Sequence, residues 1–293
     1  MIAPLAVEHA VEDAEFAFFR DLVHTRSGIA LKESKRSLVA ARLGRRLRAL
    51  GLSSFAEYRR FLEISDPSGS ELALMINCMT TNKTSFFREG KHFAILKDSI
   101  LAAARAGHKT YRIWSAACST GEEPYSIAMT ALGVAGAVEV CILASDLDTE
   151  VLASAEQAVY PMESLEEMDD QARRRYFLRG RDEREGWVLV KPAVRQLVTF
   201  RHINLIEEPW PLQTRFDAIF CRNVIIYFDR QTQARLFGRL AQYLATGGLL
   251  FVGHAETLFW LDELFVPIDH SVYRARRSAP AAKRHENQSS DYR

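Results

Sequence analysis

Residues 111–129 read Tyr-Arg-Ile-Trp-Ser-Ala-Ala-Cys-Ser-Thr-Gly-Glu-Glu-Pro-Tyr-Ser-Ile-Ala-Met, and the fold turns on this stretch. The apolar run from Tyr111 to Ala117 has the length of a short strand. Small and acidic residues from Cys118 to Glu123 follow as a tight turn, and Pro124 suits the start of a helix, where its missing N–H costs nothing. Strand, turn and helix in that order make the βα unit of an open α/β sheet, with backbone N–H groups left free at the helix N-terminus.

The turn holds one glycine, Gly121, and two acids, Glu122 and Glu123. A dinucleotide site wants three glycines and no such charges. The acids suit instead a ligand with a cationic group, such as an amino acid moiety or a sulfonium, although two acids in a first helical turn also serve the helix dipole alone. A second strand over 138–144 ends in Ser145-Asp146-Leu147-Asp148. Asp146, at the end of that strand, is placed to accept both ribose hydroxyls of an adenosine ligand. A helix over 149–159 follows, capped by Asp148 or Thr149.

The chain has 293 residues and 48% apolar content, enough for one large or two ordinary domains with a real core. No run approaches 18 apolar residues, and the early His9, Glu12, Asp13 and Glu15 break any signal-peptide pattern, so a cytoplasmic location is expected. The cysteines (Cys78, Cys118, Cys141, Cys221) are too scattered for a disulfide framework or a CxxC site, and the histidines show no HxxxH spacing, so no metal is expected. The net charge of +1 hides an asymmetry: residues 20–60 carry eleven Lys/Arg against three Asp/Glu, and residues 122–185 carry fifteen acids against six bases. The two parts face different partners.

Residues 13–80 read as helices only, an N-terminal helical domain. In the clearest one, over 34–50, Val39, Leu43, Leu47 and Leu50 share an arc of about 80°, while Lys35, Arg42, Arg45 and Arg46 fill an adjacent arc of about 100°. Such a basic stripe is either a solvated face or a dock for an acidic surface, whether nucleic acid or an acidic protein helix. Residues 81–110 join this domain to the α/β part through a polar, then aromatic, segment and a helix over 92–106. From 161 to 201 the alternation pauses. A charged helix over 164–178 and two β-rich runs at 187–191 and 194–200, broken at Pro192, read as a small inserted subdomain with an exposed hairpin at 187–200. The sheet resumes over 198–203 and then over 216–228, a strand running into a polar-aromatic end; a helix over 231–244 is closed by Gly247-Gly248, and strands follow at 249–253 and 272–275. Residues 277–293 turn polar and are expected to be disordered.

Alternating strands and helices over 111–276 define a doubly wound sheet, whose ligand crevice lies at the carboxyl ends of its strands. Gly121 to Glu123, Asp146, and Arg222-Asn223 with Tyr227 all fall at such ends. An acid-rich first turn plus an acid after the second strand matches S-adenosylmethionine better than a nicotinamide dinucleotide.

At this point the sequence resembles a known family, the chemotaxis receptor methyltransferases of the CheR family. The resemblance spans roughly residues 15–276, and its motifs occur in order: TTNKTSFFR from Thr80, WSAACSTGEEPYS from Trp114, ASDLDTEVL from Ala144, INL from Ile203 and FDAIFCRNVIIYF from Phe216. It implies an α/β, doubly wound, Rossmann-like methyltransferase sheet with a small β-hairpin subdomain inserted, preceded by an all-helical N-terminal domain. It implies a bacterial S-adenosylmethionine-dependent O-methyltransferase, with S-adenosylhomocysteine as product, that esterifies glutamate side chains on the cytoplasmic helices of chemoreceptors. Position by position, the family's cofactor contacts fall on Asn82, Thr84, Arg88, Glu123, Asp146, Asn204, Leu205, Arg222 and Asn223, with Arg88 and Tyr227 beside the transferred methyl. The chain departs from the family pattern at Cys118, where a smaller residue is common, and at Ala255, where serine is common.

The chemistry is consistent with this reading. A glutamate of pKa about 4.3 is already ionised at neutral pH, so attack on a sulfonium methyl needs no general base, and no catalytic His or Cys is expected. Arg88 can hold a carboxylate of substrate or cofactor through paired donors, and Tyr227 can orient the attacking oxygen or the methyl. The stripe of Lys35, Arg42, Arg45 and Arg46 then becomes the receptor dock. In some family members the inserted hairpin also captures a receptor C-terminal tail by strand addition, which makes 187–200 the candidate here. A monomer that binds no nucleic acid is expected. The competing readings are a nucleic-acid methyltransferase gripping phosphates with the basic helix, and a non-catalytic sensor of the same cofactor.

Overall fold

The structure, a computed structural model, describes residues 10–276 apart from 135 and 137. The tail expected to be disordered, 277–293, lies outside the described residues.

The N-terminal domain packs α1 (Asp13–Ser27), α2 (Arg36–Leu50), α3 (Phe55–Arg60) and α4 (Ser70–Met79) around Phe16, Phe19, Leu43, Leu47, Tyr58 and Met75. The apolar stripe of α2 is the face that turns inward, since Val39, Leu43 and Leu47 are all fully buried. Gly28 and Gly51 end α1 and α2 in the left-handed conformation, and the Ser54 hydroxyl caps α3 by accepting from Glu57 N–H.

Helix α5 (Lys91–Arg105) leads into β1 (Thr110–Ala116), α6 (Glu122–Leu132), β2 (Glu139–Asp146) and α7 (Thr149–Gln157). Asp148 supplies the cap of α7, accepting from the N–H groups of Glu150 and Val151. Then come β3 (Val159–Pro161), α8 (Asp170–Tyr176), β4 (Phe177–Arg179), β5 (Trp187–Val190), the turn α9 (Pro192–Arg195) and β6 (Val198–His202). The chain finishes with β7 (Phe216–Cys221), α10 (Arg230–Tyr243), β8 (Leu244–Phe251), β9 (Phe265–Asp269) and β10 (Val272–Ala275).

The main sheet has seven strands in the order β6-β2-β1-β7-β8-β10-β9. The first five are mutually parallel, and β10 runs antiparallel to both of its neighbours. From β1 the chain winds outward through β2 to β6, then crosses to β7 and winds the other way. The order therefore reverses beside β1, and a crevice opens at the carboxyl ends of β1 and β7.

The inserted subdomain differs from expectation. Its three-stranded sheet is ordered β3-β5-β4, and the hairpin is β4 with β5, not 187–200. Pro192 starts the turn α9, and the chain beyond it returns to the main sheet, where β6 pairs in parallel with β2 from Val198 against Ile142 onward. The helix expected over 164–178 is also divided. Asp169 caps a new N-terminus by accepting from Ala172 N–H, and the residues after Tyr176 turn extended as β4. Gly247-Gly248 does not close a helix either. Helix α10 stops at Tyr243, and both glycines lie inside β8, where a Cβ on Gly248 would sit 3.1 Å from the Phe216 carbonyl oxygen. The edge strand β9 carries Pro267, which hid it in the sequence.

Candidate active site

The turn after β1 is wound tightly by three residues in the left-handed region, Ala117 (φ 64°), Ser119 (φ 51°) and Gly121 (φ 98°). Gly121 is there for space as well as for φ: a Cβ would lie 2.8 Å from the Tyr160 hydroxyl and 2.9 Å from Ala155 Cβ. Asp146, at the end of β2, holds the turn. One carboxylate oxygen accepts from Ser119 N–H at 2.8 Å and the other from Asp148 N–H at 3.0 Å. Burial raises its pKa despite these bonds. Each oxygen keeps a second lone pair for a ligand.

Arg222, just beyond β7, is the electrostatic centre of the crevice. It donates to Glu123 at 2.9 Å, to Glu89 at 2.8 Å and to the Arg88 carbonyl at 2.5 Å. Glu123 also accepts from the Ser115 hydroxyl, and burial raises its pKa although Arg222 works the other way. Burial acts on Glu89 too, but there Arg222 and the His254 N–H outweigh it and leave the carboxyl below its ordinary value. Arg222 Nε is buried and has no hydrogen-bond partner among the described residues.

The segment after Arg222 is fixed by Glu256, whose buried carboxylate accepts from the N–H groups of Asn223, Ile225 and Gly253 at 2.8, 3.0 and 2.6 Å. That clamp holds Asn223 in a left-handed conformation (φ 59°) and sets the short turn Ile225–Tyr227 over the crevice. On the opposite wall, Asn82 donates to Asp148 and to the Thr80 hydroxyl, and its carbonyl accepts from the Ser119 hydroxyl. Asn204 donates to the Arg26 carbonyl, tying the floor to α1.

Together these walls enclose a cleft of about 940 Å³, its open mouth included. Asn82, Thr84, Arg88, Glu123 and Asp146 line it, and so do Asn204, Leu205, Arg222, Asn223 and Tyr227. All ten cofactor and methyl-transfer positions expected from the sequence thus meet in one place. Glu122 stays apart: its carboxylate accepts from the Thr120 hydroxyl and does not line the cleft. Cys118 does line it, but burial pushes its thiol well above the ordinary value, so it is no thiolate nucleophile.

The basic stripe is not a uniform free surface. Arg46 makes a two-pronged pair with buried Glu71 at 2.9 and 2.6 Å, and Tyr58 donates to the same carboxylate. Arg42 donates to the carbonyls of Met79 and Thr80 and to the Thr81 hydroxyl. Lys35 and Arg45 are exposed. Within the expected four-residue dock, Arg42 and Arg46 also hold the helical domain and the linker, because partners far away in sequence claim them. Residues 89, 92, 148 and 256 are site-building positions that the sequence reading missed. Glu256 directly follows Ala255, one of the two departures from the family pattern, and Glu89 directly follows the TTNKTSFFR segment, so both were within reach.

Residues 82–274 match the family described as CheR methyltransferase, SAM binding domain, and residues 14–80 match the CheR methyltransferase all-alpha domain. The chain is 47% identical over 261 residues to chemotaxis protein methyltransferase 2 of Pseudomonas aeruginosa, covering 88% of this chain and 92% of that one. It is 44% identical over 266 residues to the chemotaxis protein methyltransferase of Escherichia coli, covering 90% and 91%.

Proposed function

The chain belongs to the CheR methyltransferase family, and from that premise we propose that it transfers a methyl group from S-adenosylmethionine to glutamate carboxylates on the cytoplasmic helices of chemoreceptors. It is a methyltransferase of chemotaxis whose cofactor is S-adenosylmethionine. The glutamate substrate and the residue roles are our reading.

The donor set suits that cofactor. Carboxylates at Asp146 and Glu123 match ribose hydroxyls and a cationic centre, and the unpartnered Arg222 Nε leaves a buried donor for an anionic group. When bound, the cofactor supplies a methyl group already activated on a sulfonium. Asp146 accepts from ribose hydroxyls, with Asn82, Thr84, Asn204, Leu205 and Asn223 closing the walls around it. Arg88 holds a carboxylate through paired donors and Tyr227 orients the reacting oxygen. The methyl would pass to an already ionised carboxylate oxygen with its bonding electron pair left on sulfur, a reaction that cancels opposite charges and requires these residues to move no proton. The observation that carries this reading is the convergence of those side chains in one cleft whose only thiol, Cys118, is held protonated by burial.

The acidic face of a receptor helix would meet Lys35 and Arg45, the free part of the α2 stripe. A receptor C-terminal tail, where one exists, would add to the edge strand β4, in the sheet that exposes Leu178 and Trp187. The protein acts as a monomer in this reading, without nucleic acid. Among the described residues no helix is long and apolar enough to cross a membrane.

The test is methyl transfer to receptor fragments under saturating cofactor, paired with calorimetry using S-adenosylhomocysteine. We expect turnover, and Asp146→Ala to weaken binding by roughly 1.5–3 kcal/mol, the worth of a hydrogen bond to a charged group. Tight binding without turnover on any receptor fragment would leave a sensor instead.

A further inference from the structure

Next to Arg222 the fold gathers three further side chains that the proposed methyl transfer does not use. Glu89 ends the linker, His92 stands in the first turn of α5, and His254 follows β8. His92 Nδ1 lies 3.6 Å from Glu89 Oε2, and His254 Nε2 lies 3.9 Å from the same oxygen. All three ligand atoms fall within 4.8 Å of one another.

The hydrogen bonds around His92 settle its tautomer. The Ser271 hydroxyl spends its one proton on the His270 carbonyl at 2.6 Å, so at 2.9 Å it accepts from His92 Nε2–H. Nδ1 is therefore the bare nitrogen. It is buried on a ring only 1% exposed, and it has no hydrogen-bond partner among the described residues. An electron pair facing a carboxylate in the interior is costly, and buried polar atoms are normally satisfied. A cation there would satisfy the bare nitrogen, sharing Glu89 Oε2 with Arg222 and engaging the second imidazole.

We propose that Glu89, His92 Nδ1 and His254 Nε2 form a binding site for a divalent transition metal of the zinc class. Two imidazoles and one carboxylate are a ligand set such ions prefer over calcium or magnesium. Ligands about 3.3 Å apart are needed for tetrahedral bonds near 2.0–2.1 Å. The observed separations require a contraction that His254, half exposed at the surface, can supply by rotating. The Nε2–H bond to Ser271 is the outer contact that fixes a ligating ring. Local charge does not forbid the ion: Arg222 faces two carboxylates, Glu89 and Glu123, and Lys91 is paired with Asp269 at 2.8 Å. His270, whose ring is 5.5 Å from that of His254, is the other titratable neighbour on this side. The sequence reading expected no metal because the ligands sit at 89, 92 and 254, a spacing no local motif reveals.

The experiment titrates Zn²⁺ alone into the tag-free full chain by calorimetry, with His254→Ala and His270→Ala as comparisons. We expect one saturable site, weakened at least about tenfold by His254→Ala and unchanged by His270→Ala. Exposed Cys141 is common to all three proteins and cancels in the comparison. Anomalous diffraction at the zinc edge on soaked wild-type crystals, which does not depend on any variant folding, should place the ion between the three ligands. Absence of saturable binding, equal affinity in His254→Ala, or an anomalous peak only elsewhere would overturn the proposal.

Discussion

Gly121 shows how a single residue bears on both fold and site. Its φ of 98° and the 2.8 Å approach of the Tyr160 hydroxyl to any added Cβ leave no room for alanine. Gly121→Ala should cost about 2–4 kcal/mol from backbone strain and overpacking, read as a lower midpoint in chemical denaturation. A variant as stable as wild type would mean that the turn relaxes freely. Tyr227 tests chemistry rather than packing. Tyr227→Phe should lower kcat by roughly tenfold to a hundredfold through misplacement of the reacting oxygen, while calorimetry finds the affinity for S-adenosylhomocysteine unchanged. Should kcat survive, Tyr227 is only a wall of the cleft.

At the scale of the element, α2 divides its bases between structure and surface. Arg46 and Glu71 form a pair with little exposure, and removing the arginine strands a carboxylate that is 7% exposed beside Tyr58. Arg46→Ala should therefore destabilise the protein by about 3 kcal/mol, measurable as a drop in the denaturation midpoint. Lys35→Glu with Arg45→Glu touches no internal partner. That pair should raise KM for receptor fragments several-fold at low salt, leave the unfolding midpoint where it was, and lose its effect as salt screens the surface. An unchanged KM would remove α2 from the docking reading. Reversing Arg42 and Arg46 is the poorer test, since it breaks contacts to residues 71 and 79–81 and confuses folding with docking.

For the whole molecule, the helical domain closes the floor and one wall of the cleft. Arg26 offers its carbonyl to Asn204, Thr80 donates to Asp148, Asn77 to Thr149, and Ile29 bridges to Phe228. His24 meets Asp229, the cap of α10, at 2.6 Å across the same junction. The Thr232 N–H, together with His24, holds the Asp229 carboxyl down to about 2, below its usual 3.8. A group whose pKa is lower in the folded state stabilises above its unfolded value, so this contribution is present above about pH 4 and is lost as the pH falls towards 2. Because the pair is partly exposed, solvent screening keeps its contribution modest. Asp229→Asn should flatten the acid limb of the stability curve over that interval, because it lowers stability modestly at neutral pH and converges on wild type as the pH falls to about 2. An identical limb in the variant would assign acid sensitivity to other carboxylates.

How far the sequence reached follows from how locally each feature is encoded. The core stripe of α2 was legible because its period acts within a few residues, and β1, the turn at Gly121 and Asp146 because a βα unit writes its signal contiguously. Shared motifs then pointed to ten residues that line one cleft. By itself, the sequence determined that an α/β sheet with acids at its strand ends follows a helical domain. The tertiary structure alone decided the rest. It assigned 198–202 to the main sheet and paired β4 with β5, because strand partners are chosen by contacts distant along the chain. It gave Arg46 to Glu71 and Arg222 to Glu89 and Glu123, and it gathered residues 89, 92 and 254 around one point. A charge has no partner in a linear chain; it acquires one only when folding buries it beside a group that sequence distance had hidden.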